Sequence, residues 1–585
     1  MDNVWIARAL KDVGSLLEIQ GANPFRVRAY QNAARTIRDY EEPISELVSN
    51  GEDLTKIKGV GKDIARHIET LETQGETLLF REVALDVPVS LLEITRLPGL
   101  GAKKVKTLWQ ELDVKTIDEL DAAAKAGRVA GLPGFAEKTQ QKITKSIEGY
   151  RHRLASNTLG EADVVVPPLV SSIRKFASVS AAEVTGSYRR RVEVVSDIEV
   201  LVECEDPEAV VEHCTTVPEV KGIENLGEGS FHLFLIGGVR VRLSFMAGGS
   251  FSAALLDLTG SEGHITRLRA RAEERGFELS RNGIAALQLE AADAGATETT
   301  ADAVADEESI YDLLGLPWIP PELREDRGEI EAAEAGELPR LLKLEDMRGD
   351  LHMHSTWSDG RSSLEEMLVG CAERGYEYFA ITDHSKALAM AGGLDADKLK
   401  RQWVEAEEVA SRHPEIRLLR GMEVDILGDG ELDLEEKLLE ELDVVLAAVH
   451  SRFNLPEAEQ TKRVITALQH PQVNILVHPT GRLLNRRGPI ALNLDAVLEC
   501  AAEHGVVVEL NSHPDRLDLS DENLIKARQL GLKIVVSTDA HRAPDLGLMP
   551  YGVAQARRAW LTKEDVINTR SYDDFLATLS ELKKG

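Results

Sequence analysis

From Gly349 onward the chain alternates short apolar runs with amphipathic stretches of helical period. The runs are DLHMHS (350–355), YFAITDH (378–384), RLLRGMEVDIL (417–427), VVLAAVHSR (444–452), VNILVHPTGR (473–482), VVVELNSHP (506–514) and KIVVSTDAH (533–541). Near-continuous Val/Ile/Leu runs fit strands buried on both faces. Their alternation with helices predicts a seven-stranded parallel sheet or barrel.

Upstream the pattern changes. Residues 4–48 carry apolar positions at helical spacing, with Asn23-Pro24 as a helix-start signal. Three glycine turns then separate short helical patterns: Gly59-Val60-Gly61, Gly99-Leu100-Gly101 and Gly134-Phe135-Ala136, each followed by lysine. Glycine permits a tight turn, and the helix N-terminus after it can hold a phosphate. The repeats resemble helix-hairpin-helix motifs, which grip DNA backbone without reading sequence. The candidate contacts are Gly59, Gly61, Lys62, Gly99, Gly101, Lys103, Lys104 and Gly134. Ala136 replaces the second glycine of the third copy, so that copy is expected to be structural. Residues 160–245 become strand-rich, and an Ala- and acid-rich stretch at 287–308 reads as an exposed loop.

Charge narrows the functions. The net charge is -31, yet residues 1–150 hold 21 Lys+Arg against 23 Asp+Glu, so nearly all the excess lies beyond them. A polyanion is repelled by most of the surface, while the N-terminal part can present a basic face. No apolar run is long enough to span a membrane, and the first residues lack a basic n-region and apolar core. Four cysteines without a CxxC suit reduced thiols in a cytoplasmic protein. A monomer is expected.

The barrel pattern also carries the chemistry. Its apolar runs end in His352 and His354, His384, Glu423, His450, His478, and Asp539 with His541, while Asp359 follows the first. Residues i and i+2 of a strand share a face, so His352 and His354 could reach one metal. Barrel active sites lie at the strand C-termini. Nine candidate ligands exceed what one ion takes. Two or three Mn2+, Zn2+ or Fe2+ ions are implied, with carboxylates such as Glu423 bridging. Such a cluster activates water and clamps a phosphate. His352, His354, Glu423 and Asp539 are the expected catalytic centre. Arg420, Arg452, Arg482 and Arg516 flank it as phosphate-binding candidates or as surface salt bridges. The run 506–514, which carries Glu509, Asn511 and His513, is expected to supply a group that supports the ligands from behind.

A second candidate site lies in VTGSYRRRVEVVSDIEVLVEC (184–204). Alternation puts Asp197 and Glu199 on one strand face, where paired carboxylates could hold Mg2+ while Ser187 and Arg190 hold phosphates. The hairpins, this segment and LTGSEGHITRLRARAEERGFEL (258–279) follow the order of family X DNA polymerases, which the chain resembles. The pattern H-x-H…D…H…E…H…H…D-x-H resembles the PHP (polymerase and histidinol phosphatase) domain, with all nine positions filled. The combination resembles the bacterial and archaeal family X architecture.

That resemblance implies a helical hairpin domain over 1–85, a fingers-like domain over 86–155 and a palm over 156–245. A thumb over 246–320, a linker over 321–345 and a PHP barrel over 346–575 follow. It also implies a DNA-repair enzyme acting on gapped, nicked or 3′-end DNA as a 3′→5′ exonuclease, AP endonuclease or 3′-phosphatase. The palm departs from the family. Glu199 stands at the second carboxylate position and Arg242 at the third, which implies a disabled polymerase site. His67 stands where the family's lyase lysine would be. Retained gap-filling synthesis, a noncatalytic DNA scaffold and a small-molecule phosphatase are the alternatives.

Overall fold

The computed structural model describes residues 3–38, 40, 44–74, 78–97, 99–154, 156–196, 198–227, 229–246, 250–287 and 306–584. The chain forms two compact units, Met1–Ala155 and Ser156–Gly585.

The first unit is helical. Its longer helices are Asn3–Gln20, Pro24–Arg38, Lys62–Gln74, Ala102–Leu112, Ile117–Lys125 and Glu137–Leu154. Their apolar faces meet in a single core running from Ile6 to Ile147. The expected divide between 1–85 and 86–155 is therefore not a packing boundary: residues on both sides, such as Leu10 and Val105, belong to one cluster. The three glycine turns share one geometry. The first glycine has φ of +90° at Gly59, +80° at Gly99 and +82° at Gly134, a region that disfavours side chains. The middle residue (Val60, Leu100, Phe135) is buried. The third position needs no such freedom: Gly101 has φ of -76° and caps the helix that follows. Ala136 is accommodated there for that reason, so the third copy keeps the hairpin shape.

The second unit begins with helix Leu159–Arg174, closed at its N-terminus by a Thr158/Glu161 capping box. A five-stranded sheet follows, with β1 (Val179–Val184), β2 (Ile198–Cys204), β3 (Val220–Gly227), β4 (Ser230–Leu235) and β5 (Arg240–Met246) in the order β1-β2-β5-β4-β3. Only the β2–β5 pairing is parallel. Helices Phe251–Thr259 and Glu262–Glu274 and a short hairpin come next.

Residues 321–345 are not a linker. They hold helix Glu329–Ala335, and Leu323, Ile330, Ala333 and Leu341 join a core with Ile310 and Tyr311. Arg324 is fully buried, with Nη1 donating to Glu307 Oε1 at 2.9 Å. Arg557 Nε of the barrel donates to Glu322 Oε1 at 2.7 Å. Packing overrides the Pro- and acid-rich composition here.

The barrel comprises β6 (Gly349–Asp350), β7 (Tyr378–Ile381), β8 (Arg417–Asp425), β9 (Val444–Ala448), β10 (Ile475–Leu476), β11 (Val507–Asn511) and β12 (Ile534–Ser537). All six neighbouring pairs are parallel and in sequence order. A Met353–Ala540 bridge brings the first and last strand extensions together. Alternate residues Tyr378, Ala380, Leu419, Val444, Leu446 and Ala448 cluster with Phe575 and Leu579 of the last helix. The Phe575 ring stacks on Tyr378 at 5.0 Å. With the strand starts filled by this cluster, the ligand-type residues collect beyond the opposite ends.

Candidate metal centre

The nine side chains converge. Groups of potential ligand atoms, each mutually within 4.8 Å, form around His354/Asp359/His384/His541, His352/His354/Asp539, His352/Glu423/His478 and His384/Glu423/His450. Sharing of His352, His354, His384 and Glu423 links the groups into one centre. His352 and His354 lie just past β6, in the extension that bridges to Ala540, rather than within a strand.

Hydrogen bonds outside the centre fix the imidazoles. His352 Nδ1 donates to Glu509 Oε1 at 2.6 Å, which leaves Nε2 facing inward, 3.4 Å from Glu423 Oε2 and 3.6 Å from Asp539 Oδ1. Glu509 Oε2 accepts from the His478 backbone N–H at 2.7 Å, and Asn511 Nδ2 donates to Asp539 Oδ2 at 3.0 Å. His450 presents Nδ1 to Asp425 Oδ1 at 3.3 Å and Nε2 to Glu423 Oε1 at 3.2 Å. This is the usual supporting shell of a metal-ligating histidine.

Asp383, which precedes His384 at the end of the second apolar run, serves the loop. It accepts from Ser355 N (2.9 Å), Ser355 Oγ (2.6 Å), Ser358 N (3.1 Å) and Gln402 Nε2 (2.6 Å). The turn it organises delivers Asp359, whose Oδ1 lies 3.5 Å from His384 Nε2 and 3.6 Å from His541 Nε2. Gly360 completes the turn, because a Cβ there would sit 2.5 Å from the His354 backbone.

The donor set fits cations. Among the described residues, buried His352 Nε2, both ring nitrogens of His354, His384 Nδ1, Glu423 Oε2 and His478 Nδ1 lack a well-formed hydrogen bond, although His384 Nδ1 lies 2.8 Å from Glu423 Oε2. Unpaired buried polar atoms are costly unless something else satisfies them. The electrostatics agree. Burial pushes the His384 imidazole down, but Glu423 and Asp359 outweigh it and raise it to about 10. Burial likewise opposes, and Glu423 and Asp425 overcome it, to bring His450 to about 9. Burial and the neighbouring His384 and His541 lower His354 to about 3. Burial raises Glu423, but His450, His384 and His352 hold it well below its ordinary value. The carboxylates thus attract positive charge strongly. A metal-dependent centre can be held by these residues.

The arginines divide. Arg516 Nε lies 3.5 Å from Asp539 Oδ2, beside the centre. Arg452 is exposed after His450, with φ of +55°. Arg420 stacks over Trp403 at 5.2 Å and faces Asp443 on the surface. Arg482 does not face the centre as a free cation: Glu193 holds it at 2.9 and 2.5 Å. Arg190 is also engaged, with Nε donating to Glu325 at 2.9 Å and Nη1 to the Thr259 carbonyl at 2.5 Å. The acidic partners of both arginines lie far off in sequence.

In the palm-like sheet, Asp197 lies outside the described residues. Glu199 on β2 is in register with Arg242 on β5. Glu199 Oε1 accepts from Ser244 Oγ and lies 3.8 Å from Arg281 Nη2. Ser187 sits half-buried in the turn helix Gly186–Arg189. His67 bonds to the Tyr30 hydroxyl through Nδ1.

Known proteins share this layout. A helix-hairpin-helix domain model matches residues 1–77, a SAM-like helix-hairpin-helix tandem 91–148, a DNA polymerase beta thumb 254–325 and a PHP domain 350–513. A Bacillus subtilis (strain 168) protein named DNA polymerase/3′-5′ exonuclease PolX is 34% identical over 576 residues, covering 98% of both chains. A probable phosphatase of Thermoanaerobacter sp. (strain X514) is 29% identical over 234 residues, 38% of this chain and 89% of its own. One from Edwardsiella ictaluri (strain 93-146) is 30% identical over 239 residues, 39% of this chain and 93% of its own. The chain belongs to the PolX family, the family X DNA polymerases that carry a C-terminal PHP domain.

Proposed function

We propose that this protein is a DNA-repair phosphoesterase whose active centre is the barrel cluster, working as a 3′→5′ exonuclease on gapped, nicked or 3′-recessed DNA. The observation that carries the reading is the convergence of six histidines and three carboxylates, whose inward-facing buried atoms crowd within ion-pair distance while several lack a well-formed hydrogen bond among the described residues. His352, His354, Asp359, His384, Glu423, His450, His478, Asp539 and His541 would hold two or three divalent ions, Mn2+, Zn2+ or Fe2+, with Glu423 shared between them. Such ions supply Lewis acidity and orient an attacking water and the phosphate. Glu509 and Asp425 would keep the imidazoles in register, and Arg516, 3.5 Å from Asp539, and Arg452 would meet the phosphate. AP-endonuclease and 3′-phosphatase activity would draw on the same centre.

The helical hairpins would grip the DNA backbone. Gly59, Gly61, Lys62, Gly99, Gly101, Lys103 and Gly134 are exposed at the turns, and Lys104 is half-exposed beside them. Contacts of this kind are independent of sequence and sensitive to salt. The palm would position DNA rather than extend it, because Arg242 stands in register beside Glu199 and Arg190 is committed to Glu325. Any Mg2+ there would have to rely on Asp197 and Glu199. Four buried free thiols suit a reducing cytoplasm, and no described helix is long and apolar enough to cross a membrane. A monomer is the simplest assembly.

The test is Mn2+-dependent digestion of 3′-recessed and gapped DNA by the natural protein and by a His352→Ala, His354→Ala double variant. Equal digestion by both would remove the barrel centre from the reaction. The shorter relatives are named only as probable phosphatases; a small-molecule phosphatase would instead hydrolyse monoesters without competition from gapped DNA.

A further inference from the structure

The loop His513–Asp518 after β11 brings Arg516 to the centre, and the polymerase-like part of the same unit holds that loop from outside. Arg482 is the link. Its Nε donates to the Arg516 carbonyl at 3.0 Å and its Nη2 to the Leu517 carbonyl. Its Nη1 and Nη2 donate to Glu193 Oε1 and Oε2 at 2.9 and 2.5 Å. The Arg482 side chain is only 11% exposed, so the paired carboxylate matters: a buried guanidinium without one is strongly unfavourable. Glu193 is anchored in turn, because its carbonyl accepts from Leu159 N at 3.0 Å.

The helix that begins at Leu159 presses on the loop directly. A Cβ at Gly160 would sit 2.6 Å from Pro514 Cβ, so glycine is what lets the two backbones approach. Asn485 Nδ2 reaches the Ser156 carbonyl at 3.4 Å nearby. Two separate contacts, Glu193–Arg482 and Gly160–Pro514, therefore converge on the segment carrying Arg516.

We propose that Glu193 and Gly160 are positioning residues for the barrel centre, fixing the 513–518 loop so that Arg516 meets the substrate phosphate beside Asp539. The inference rests on the phosphoesterase reading above. It makes the palm-like part a functional portion of the hydrolytic site, through residues that touch neither metal nor substrate.

The test uses the full-length protein, loaded with Mn2+, on bis(p-nitrophenyl) phosphate and on 3′-recessed DNA. The small diester reports on the centre alone and removes any effect of DNA grip. Glu193→Gln is expected to raise KM about ten-fold on both substrates with kcat little changed, a loss at the low end for a supporting residue. Gly160→Ala should act in the same direction through the other contact, and Glu193→Asp should recover part of the loss. In an Arg516→Ala background Glu193→Gln should add nothing, since the two act through one group. Metal content per folded protein, measured alongside, should stay close to that of the natural protein. The thermal midpoint should fall in Glu193→Gln and in Gly160→Ala, because each disturbs a buried contact; KM is therefore read well below the midpoint, on folded protein.

Unchanged KM in Glu193→Gln and Gly160→Ala would overturn the proposal. So would losses that multiply with Arg516→Ala, or that merely follow lost metal or lost folded protein. An inactive natural protein on both substrates would instead sink the phosphoesterase reading.

Discussion

Glu199 on β2 lies directly in register with Arg242 on β5, across the parallel pair of the five-stranded sheet. A guanidinium in that place repels a divalent cation, and Glu199 is already engaged by Ser244 and Arg281. Template-dependent primer extension with Mg2+ or Mn2+ is accordingly expected to be absent. Extension that disappears on Glu199→Ala would show that the palm still works.

Glu509 accepts from three donors at once, His352 Nδ1, His478 N and Asn511 Nδ2. A glutamine there would turn an N–H toward one of them. Glu509→Gln should therefore cost about 10- to 100-fold in metal affinity or activity, the usual range for a group behind a metal ligand. Titration with Mn2+, followed by activity and by bound metal, measures it. An unchanged affinity and rate would deny Glu509 that role.

Chelated protein should respond to pH in a definite direction. His384 and His450 titrate near 10 and 9 in the folded metal-free state, above the ordinary histidine value of 6.5. Their protonation stabilises the fold fully below about pH 6.5, and that contribution is lost as pH rises through about 9 to 10. The thermal midpoint of the chelated protein should thus fall across this window, and bound metal should flatten the fall, since ligation displaces the same protons. A midpoint that rises with pH would contradict the arrangement.

The glycine turns separate two kinds of glycine. Gly99 has φ of +80°, whereas Gly61 has no such φ and no atom near a prospective Cβ. Gly99→Ala should destabilise the helical unit by about 1–2 kcal/mol. Gly61→Ala should be nearly neutral, as Ala136 already is in the third turn. Denaturant titration of the two variants distinguishes them, and equal effects would refute the assignment.

Much of the barrel could be read from sequence because its information is local. Each buried strand is a continuous apolar run, and each run ends near a ligand-type side chain, so the convergence of the nine side chains follows from the fold class. Asp359 came from spacing alone. What stayed hidden depends on distant partners. Arg482 looks like a phosphate arginine beside His478, and only folding brings it Glu193, 289 positions away. Asp383 looks like a ligand, and only the turn Ser355–Ser358 reveals that it serves backbone and hydroxyl donors. The helical hairpins were visible as repeats, whereas the single core beneath them was not, because it joins apolar faces from opposite ends of the unit.

The packed segment 321–345 changes what counts as a separable piece of this protein. A truncation beginning at β6 would strip Arg557 of Glu322 and leave Arg558 with Asp521 alone of its two acidic partners. It would also remove Leu341, which bridges to Thr562. Sequence families can be cut and recombined at that boundary on paper. For an expressed fragment it is a wound, and sticky, poorly soluble barrel preparations would be its symptom.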